Sequence, residues 1–318
     1  MSRLDELRLI TKVARMYFIQ GIRQQEITRR LQIHQSTVSR LLKRARESKL
    51  VRFSVVSPPG IFADLEDQLV ARFELKDALV VDCSTEEGSM VRDLGAAAAY
   101  LVETTVKPGT IIGISSWGRS LFALVDALHP GDYCHGGKVV QVLGGVGNLA
   151  VKHNYIYLAQ RLAALIGANA ILLSAPAAVG SPEARRVLTR DRSVRIVSEL
   201  FEHLDLVLVG IGSMEQARLL ASSGNVLSPE EHAELSRLGA VGDICFRFFD
   251  AQGESIKSPL MQRIIGIEPA SLKRVSRVIG VAGGRGKVAT ILGALRGKWI
   301  NVLVTDRRTA ENLLSETK

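Results

Sequence analysis

Seven short and nearly unbroken runs of Val, Ile and Leu limit most tightly what this chain can fold into. They are ALVVD (78–82), GTIIGIS (109–115), KVVQVLGG (138–145), ANAILLSAP (168–176), DLVLVGIG (205–212), RVIGVAGG (277–284) and INVLVTD (300–306). Helical stretches follow the first three, through Ala96–Val106, Arg119–Leu128 and Tyr155–Leu165. A strand wetted on one face alternates apolar with polar residues; these runs do not, so both faces are expected to be buried. Strands buried twice and separated by helices make a parallel sheet in an α/β domain. Several runs end in Gly, Ser or Asp, and ligands of open parallel sheets bind at the carboxyl ends of the strands. The chemistry of this region is expected there.

The start of the chain is built differently. Gln24–Arg46, QQEITRRLQIHQSTVSRLLKRAR, reads as a helix, a tight turn and a second helix. Ile27 and Leu31 form the apolar stripe of the first, Ile33 sits in the turn, and Val38, Leu41, Leu42 and Ala45 form the stripe of the second. The opposite face of the second helix carries Gln35, Ser36, Ser39, Arg40, Lys43 and Arg44. Short polar groups lead and cations follow, which suits a helix whose first turn reads base edges while later turns meet phosphates. Residues 1–56 hold 13 Lys and Arg against 4 acids, a net +9 that equals the charge of the whole chain. The remainder carries 28 of each sign. A solvated basic bundle would explain the charge alone, but not its coincidence with a helix-turn-helix pattern. Double-stranded operator DNA is the expected partner.

Leu4, Leu7, Ile10, Ala14, Tyr17 and Phe18 make a helical stripe that can cover the back of this motif, and Gly21 ends it. LVRFSVV (50–56) switches to strand chemistry, as the wing of a winged domain does. Ser57-Pro58-Pro59-Gly60 then breaks all regular structure. The expected organisation is a DNA-binding domain over 1–56, a linker over 57–60 and a larger α/β domain over 61–318, which begins with a connecting helix through Phe62–Phe73. At 318 residues the chain also exceeds what one core usually supports, roughly 250–300 residues. The longest apolar runs fall short of the ~18–20 residues of a membrane span. MSRLDELRLI has charges among its apolar positions and no cleavage site, so a cytoplasmic location is expected. Cys83, Cys134 and Cys245 are scattered and read as free thiols. His129, His135, His153, His203 and His232 lack ligand spacing, so no metal and no cofactor is implied.

Further motifs stand in a fixed order: GISSWGRSL (113–121), QVLGG (141–145), LLSAPA (172–177), VGIGS (209–213), GAVGDICFRFFDAQG (239–253) and VAGGRGKVATILGALRGKWINVLVTD (281–306). With 24–51, they make the chain resemble the SorC/DeoR-type sugar-responsive bacterial transcription regulators over nearly its whole length. The resemblance implies a Rossmann-like effector domain of the phosphosugar-isomerase and deaminase type that binds its sugar without converting it. It also implies a homo-oligomer, dimeric or tetrameric, whose operator affinity answers to a sugar, sugar phosphate or polyol. Thr28 and Gln32 stand where such motifs prefer Ala and Gly. Gln32 is expected in a left-handed turn conformation, at a cost of about 1 kcal/mol against Gly.

For DNA, the groove-side candidates are His34, Gln35, Ser36, Ser39, Arg40 and Lys43, with Arg44 among the later cations and Thr37 either helping at the helix start or meeting a backbone phosphate. Gln can pair with adenine and Arg with guanine. Either His34 or Ser36 can be the N-cap. For the effector, Ser115, Ser116, Trp117, Gly118, Arg119 and Ser120 offer hydroxyls and backbone N–H groups before a helix, an anion site in principle. GISSWGRSL is one residue longer than the family's GISWGRTL pattern, so both Ser115 and Ser116 stand as ligand-facing candidates. Gly283-Gly284-Arg285-Gly286-Lys287 is a similar turn that fails the Walker pattern, since Val281 and Val288 occupy its Gly and Ser/Thr positions. The resemblance assigns Asp243 to sugar hydroxyls and Lys287 to the ligand. Gly144, Gly145 and Gly212 complete the candidate set, the first two for close backbone approach to the ligand.

Two enzyme readings compete. Gly145–Ala150 fits G-x-G-x-x-A, but no acid ends the next strand, so dinucleotide binding is weak. Isomerase or deaminase chemistry needs a general base, for which Asp243 or Asp205 could serve. A phosphosugar-metabolising enzyme with an accessory DNA-binding domain is therefore the alternative, and a non-specific DNA binder a third reading. The fused basic head favours binding without catalysis.

Overall fold

The structure, a computed structural model, describes residues 3–48, 50–51, 60–84, 86–145, 157–222 and 227–316. The chain divides into two compact units, Met1–Pro58 and Pro59–Lys318.

In the first unit the apolar stripes become α1 (Arg3–Ala14), α2 (Gln24–Leu31) and α3 (Gln35–Glu47). A wide π turn, Arg15–Ile19, continues α1 until Gly21 turns the chain at φ +66°. Ile10, Val13, Ile27, Val38, Leu41, Leu42 and Ala45 form the core. Between α2 and α3, Gln32 adopts φ +53° and ψ +42°, the left-handed geometry expected from its place in the turn. The Thr28 hydroxyl donates to the Gln24 carbonyl at 2.9 Å, which lets a polar side chain stand where Ala is usual. His34, not Ser36, is the N-cap of α3, and it caps without a side-chain hydrogen bond. Of the strand expected over 50–56, Leu50 and Val51 are not in a strand; 52–56 and linker positions 57–59 lie outside the described residues.

The second unit opens with α4 (Ala63–Phe73), β1 (Asp77–Val81), α5 (Glu87–Thr105), β2 (Ile111–Ile114) and α6 (Arg119–Ala127). It continues with β3 (Lys138–Gln141), α7 (Leu158–Ile166), β4 (Asn169–Ile171), α8 (Pro182–Arg190) and α9 (Arg192–Glu199). Then come β5 (Leu206–Gly210), β6 (Gly212–Ser213), α10 (Met214–Ser222), α11 (Pro229–Arg237), β7 (Gly242–Ile244) and β8 (Arg247–Phe249). Last are α12 (Pro269–Arg274), β9 (Arg277–Val281), α13 (Val288–Arg296), β10 (Val302–Asp306) and α14 (Arg307–Ser315).

Seven strands form one parallel sheet in the order β1-β10-β9-β5-β2-β3-β4. Burial on both faces explains the unbroken apolar runs of β2, β3, β5, β9 and β10, whereas the edge strand β4 leaves Asn169 and Ala170 exposed. Ile112, Ile114, Leu206, Leu208, Ile279 and Val281 pack with α5, α6 and α7. Their neighbours Val207, Val209 and Val278 point the other way, toward α4, α9, α13 and α14. Several boundaries move. The expected run 168–176 yields only Asn169–Ile171, because Gly145 N–H bonds the Ala175 carbonyl at 2.8 Å and the chain leaves the sheet. The helix before β2 begins at Glu87, nine residues ahead of the expected Ala96. A second sheet, β6-β7-β8, is antiparallel.

Strand order reverses beside β2. From β2 the chain steps outward to β3 and β4, then returns to place β5 on the other side of β2 and proceeds to β9 and β10. The carboxyl ends of β2 and β5 flank this switch point, where open α/β sheets leave a crevice for ligands.

Candidate functional site

On α3, burial of Val38, Leu41, Leu42 and Ala45 turns the opposite face to solvent. Gln35, Ser36, Ser39, Arg40, Lys43 and Arg44 are exposed there, with His34 exposed at the cap and Thr37 half-buried. The Thr37 N–H bonds the His34 carbonyl at 2.9 Å. Lys43 lies 3.8 Å from Glu47, and Arg44 pairs with Glu6 of α1. Exposed pairs of this kind contribute about 1 kcal/mol at most, so a phosphate can replace either carboxylate. No acid among the described residues forms an ion pair with Arg40.

In the second unit, the strand ends at the switch point gather most of the expected effector residues. Gly118 caps α6 at φ +139°, a conformation that favours Gly and that turns the 115–118 loop into the helix. The serines behave differently from expectation. Ser116 Oγ donates to the Gly144 carbonyl and Ser120 Oγ to the Val281 carbonyl, each at 2.9 Å. Both hydroxyl protons are thus used inside the protein, Ser116 joining the ends of β2 and β3 and Ser120 joining α6 to the end of β9. Ser115 bonds locally, to the Trp117 backbone at 3.4 Å. Arg119 reaches Glu87 of α5.

Asp243 comes to this place on β7. Register pairs it with Gly212 of β6, and a Cβ on Gly212 would sit 2.1 Å from Asp243 Oδ1. Only glycine leaves room for that carboxylate. Asp243 Oδ2 accepts the Phe246 N–H at 3.0 Å. This bond closes a two-residue hairpin in which Cys245 and Phe246 both hold positive φ, +53° and +56°. Such turns usually take Asn-Gly, and a left-handed L residue costs about 1–2 kcal/mol. Lys287, between β9 and α13, donates to the Ile211 carbonyl at 2.7 Å, one residue from Gly212.

Burial raises Asp243 to about 6 despite the Phe246 N–H and the Lys287 charge, which favour its ionised form. Burial likewise lowers Lys287 to about 8, against the attraction of Asp243. The Cys245 thiol, pushed to about 12 by burial, stays neutral. At neutral pH the site therefore offers a carboxylate acceptor and an ammonium donor beside unreactive thiol and hydroxyl groups. Cys245 was not anticipated, although it stands two residues after Asp243 in GDICF.

Three assignments need correction. The close approach at Gly144 is to the protein itself: a Cβ there would meet the Pro176 carbonyl at 2.5 Å, whereas Gly145 has no neighbour nearer than 3.8 Å. In the glycine turn, Gly284 N–H is held by Asp306 Oδ2 at 2.8 Å and Thr309 Oγ1 at 2.9 Å, and Gly283 packs on Asp306. That backbone is anchored to α14. Asp205 accepts the Ile111 N–H at 2.9 Å from the start of β2, the end of the sheet away from the site, so it cannot act as a base there. The G-x-G-x-x-A segment beyond Gly145 lies outside the described residues. Among the described residues no His, Cys, Asp and Glu cluster could hold a metal, and no helix is long and apolar enough to cross a membrane.

A basic helix-turn-helix followed by a parallel-sheet domain, with Asp243 and Lys287 acting on each other's charge near its switch point, is the build of a ligand-responsive transcription regulator. The family described as "Putative sugar-binding domain" matches residues 58–315. The sorbitol operon regulator of Klebsiella pneumoniae is 35% identical over 316 residues, 99% of this chain and 100% of that one. The deoxyribonucleoside regulator of Bacillus subtilis is 33% identical, covering 98% and 99%. The crystal structure of the full-length Klebsiella regulator SorC superposes with a TM-score of 0.75 at 36% identity, over 98% of this chain and 100% of that one. The chain belongs to the SorC family of sugar-binding transcriptional regulators. Its relatives are named as regulators, not enzymes.

Proposed function

We propose that this regulator reads its operator with α3 and senses a small carbohydrate, probed most directly as its phosphate, at the Asp243–Lys287 pocket. His34, Gln35, Ser36, Ser39, Arg40 and Lys43 face the major groove, while Thr37 and Arg44 meet backbone phosphates. Asp243 accepts from sugar hydroxyls. Lys287 and the free N–H groups of the first turn of α6 receive the anionic end, since Ser116 and Ser120 already donate to carbonyls. Ser115, Trp117, Gly118, Arg119, Gly145 and Gly212 shape the walls. The protein acts in the cytoplasm as a homo-oligomer whose paired reading heads must match half-sites about one DNA turn, or a multiple, apart. Ligand binds one quaternary arrangement more tightly than another and so alters that match.

The observation that carries this reading is the carboxylate and ammonium of Asp243 and Lys287, brought together at the strand switch point. A thermal-shift screen of sugars, polyols and their phosphates on the full chain tests it. A true effector at 100 times its dissociation constant stabilises the protein by about 2.7 kcal/mol. Asp243→Asn and Lys287→Met should lose most of that gain. Equal stabilisation of both variants and the wild type would contradict the site.

A further inference from the structure

A separate cavity lies away from Asp243 and Lys287. It has a volume of about 540 Å³ and opens between α8, β8 and the start of α12. That size suits a small ligand, for which pockets of ~300–1,000 Å³ are usual. Phe248, Ile256 and Met261 give it apolar walls, and Arg185, Arg186 and Arg247 bring three cations to it.

The charges do not balance. Glu268 Oε1 accepts from Arg185 at 2.5 Å and from Arg247 at 2.8 Å, so one carboxylate oxygen answers two guanidinium groups. Arg186 adds a third cation, 4.0 Å from Glu183. The Arg247 side chain is only 6% exposed, and both its burial and the charge of Arg185 disfavour its ionised form. Its donors are occupied by the Ile267 and Met261 carbonyls and by Glu268. Arg185 differs. Its Nε donates to the Ile264 carbonyl at 2.8 Å and its Nη2 to Glu268, while Nη1 has no partner among the described residues. Arg247 is thus a fixed, buried charge, and Arg185 Nη1 with Arg186 forms an available guanidinium rim.

We propose that this cavity is a second ligand site, taking a small organic oxyanion whose carbon body rests on Phe248, Ile256 and Met261. A phosphate or carboxylate group would accept from Arg185 Nη1 and Arg186 and offset the excess of cations. Guanidinium forks match both oxyanion geometries. The ligand would also be felt at the sugar pocket, because Arg247 follows directly on the Asp243–Phe246 hairpin. The site stands independently of the sugar reading, since Asp243 and Lys287 do not line it.

Calorimetric titration of the full-length protein with glycerol 2-phosphate and with succinate tests the proposal and separates phosphate from carboxylate ligands. Arg247→Met risks the fold, so the variant of choice is Arg186→Glu, whose side chain is 64% exposed. At least one probe should bind the wild type saturably below about 10 mM, and Arg186→Glu should weaken it roughly tenfold. In Lys287→Met the Arg186-dependent binding should persist. Absence of saturable binding by either probe would overturn the site. So would binding that disappears in Lys287→Met but survives in Arg186→Glu, since the probe would then occupy the sugar pocket. A change of oligomeric mass in Arg186→Glu without any probe binding to the wild type would identify the cavity as a subunit contact instead.

Discussion

Gln32 and Gly212 occupy positions where the backbone dictates the residue, with opposite outcomes. Gln32 holds the left-handed turn between α2 and α3 without the residue best suited to it. Gln32→Gly should therefore raise stability by about 1 kcal/mol in urea denaturation of the full chain. A loss would mean that the glutamine side chain makes a compensating contact. At Gly212 the suited residue is present, and Gly212→Ala would place a methyl group 2.1 Å from Asp243 Oδ1. That variant should keep the fold while losing sugar binding, as seen by circular dichroism together with the thermal-shift response. The pH dependence follows from the same carboxylate. Asp243, raised to about 6, becomes an acceptor only above that pH, and Lys287, lowered to about 8, loses its charge above it. Sugar affinity should peak between these values and fall on both sides. The stability effects run separately: burial of Asp243 removes stability as pH rises from 3.8 toward 6, and burial of Lys287 restores it as pH rises from 8 toward 10.5. A flat affinity profile from pH 5 to 9 would remove both groups from the ligand contact.

Among elements, those that bury two faces or one full stripe were legible in the sequence. The seven core strands wrote themselves as apolar runs, and α3 as a four-residue stripe opposite a polar face. The β7–β8 hairpin was not legible. Its strands are three residues long, and its turn is Cys245-Phe246 where Asn-Gly would have marked it. The neighbourhood of Asp243 was legible through the family resemblance, but the directions of Ser116 and Ser120 depend on carbonyls 28 and 161 residues away. Nor could the spacing of QVLGG (141–145) reveal that Gly144 meets Pro176. On α3 the division of labour is open to measurement. Arg40→Ala should relax base preference by about 1–3 kcal/mol at one position, whereas Lys43→Ala should lower the salt slope by about one unit on every sequence. Equal losses on all duplexes from both variants would deny Arg40 a base contact.

Across the whole molecule, charge is partitioned as function is. The head carries the entire net +9, and the remainder is neutral, as suits a domain that binds a metabolite without attracting nucleic acid. A regulator of this construction works only if its two binding events share free energy. Coupling is reciprocal: the sugar must change operator affinity by the factor through which operator changes sugar affinity, typically ~1–3 kcal/mol. The most direct measurement is operator affinity of the full-length protein at fixed salt, with and without saturating effector, repeated in Asp243→Asn. A shift of about 5- to 150-fold in the wild type, absent from the variant, is the predicted result. An unchanged operator affinity in the presence of an effector shown to be bound would contradict it.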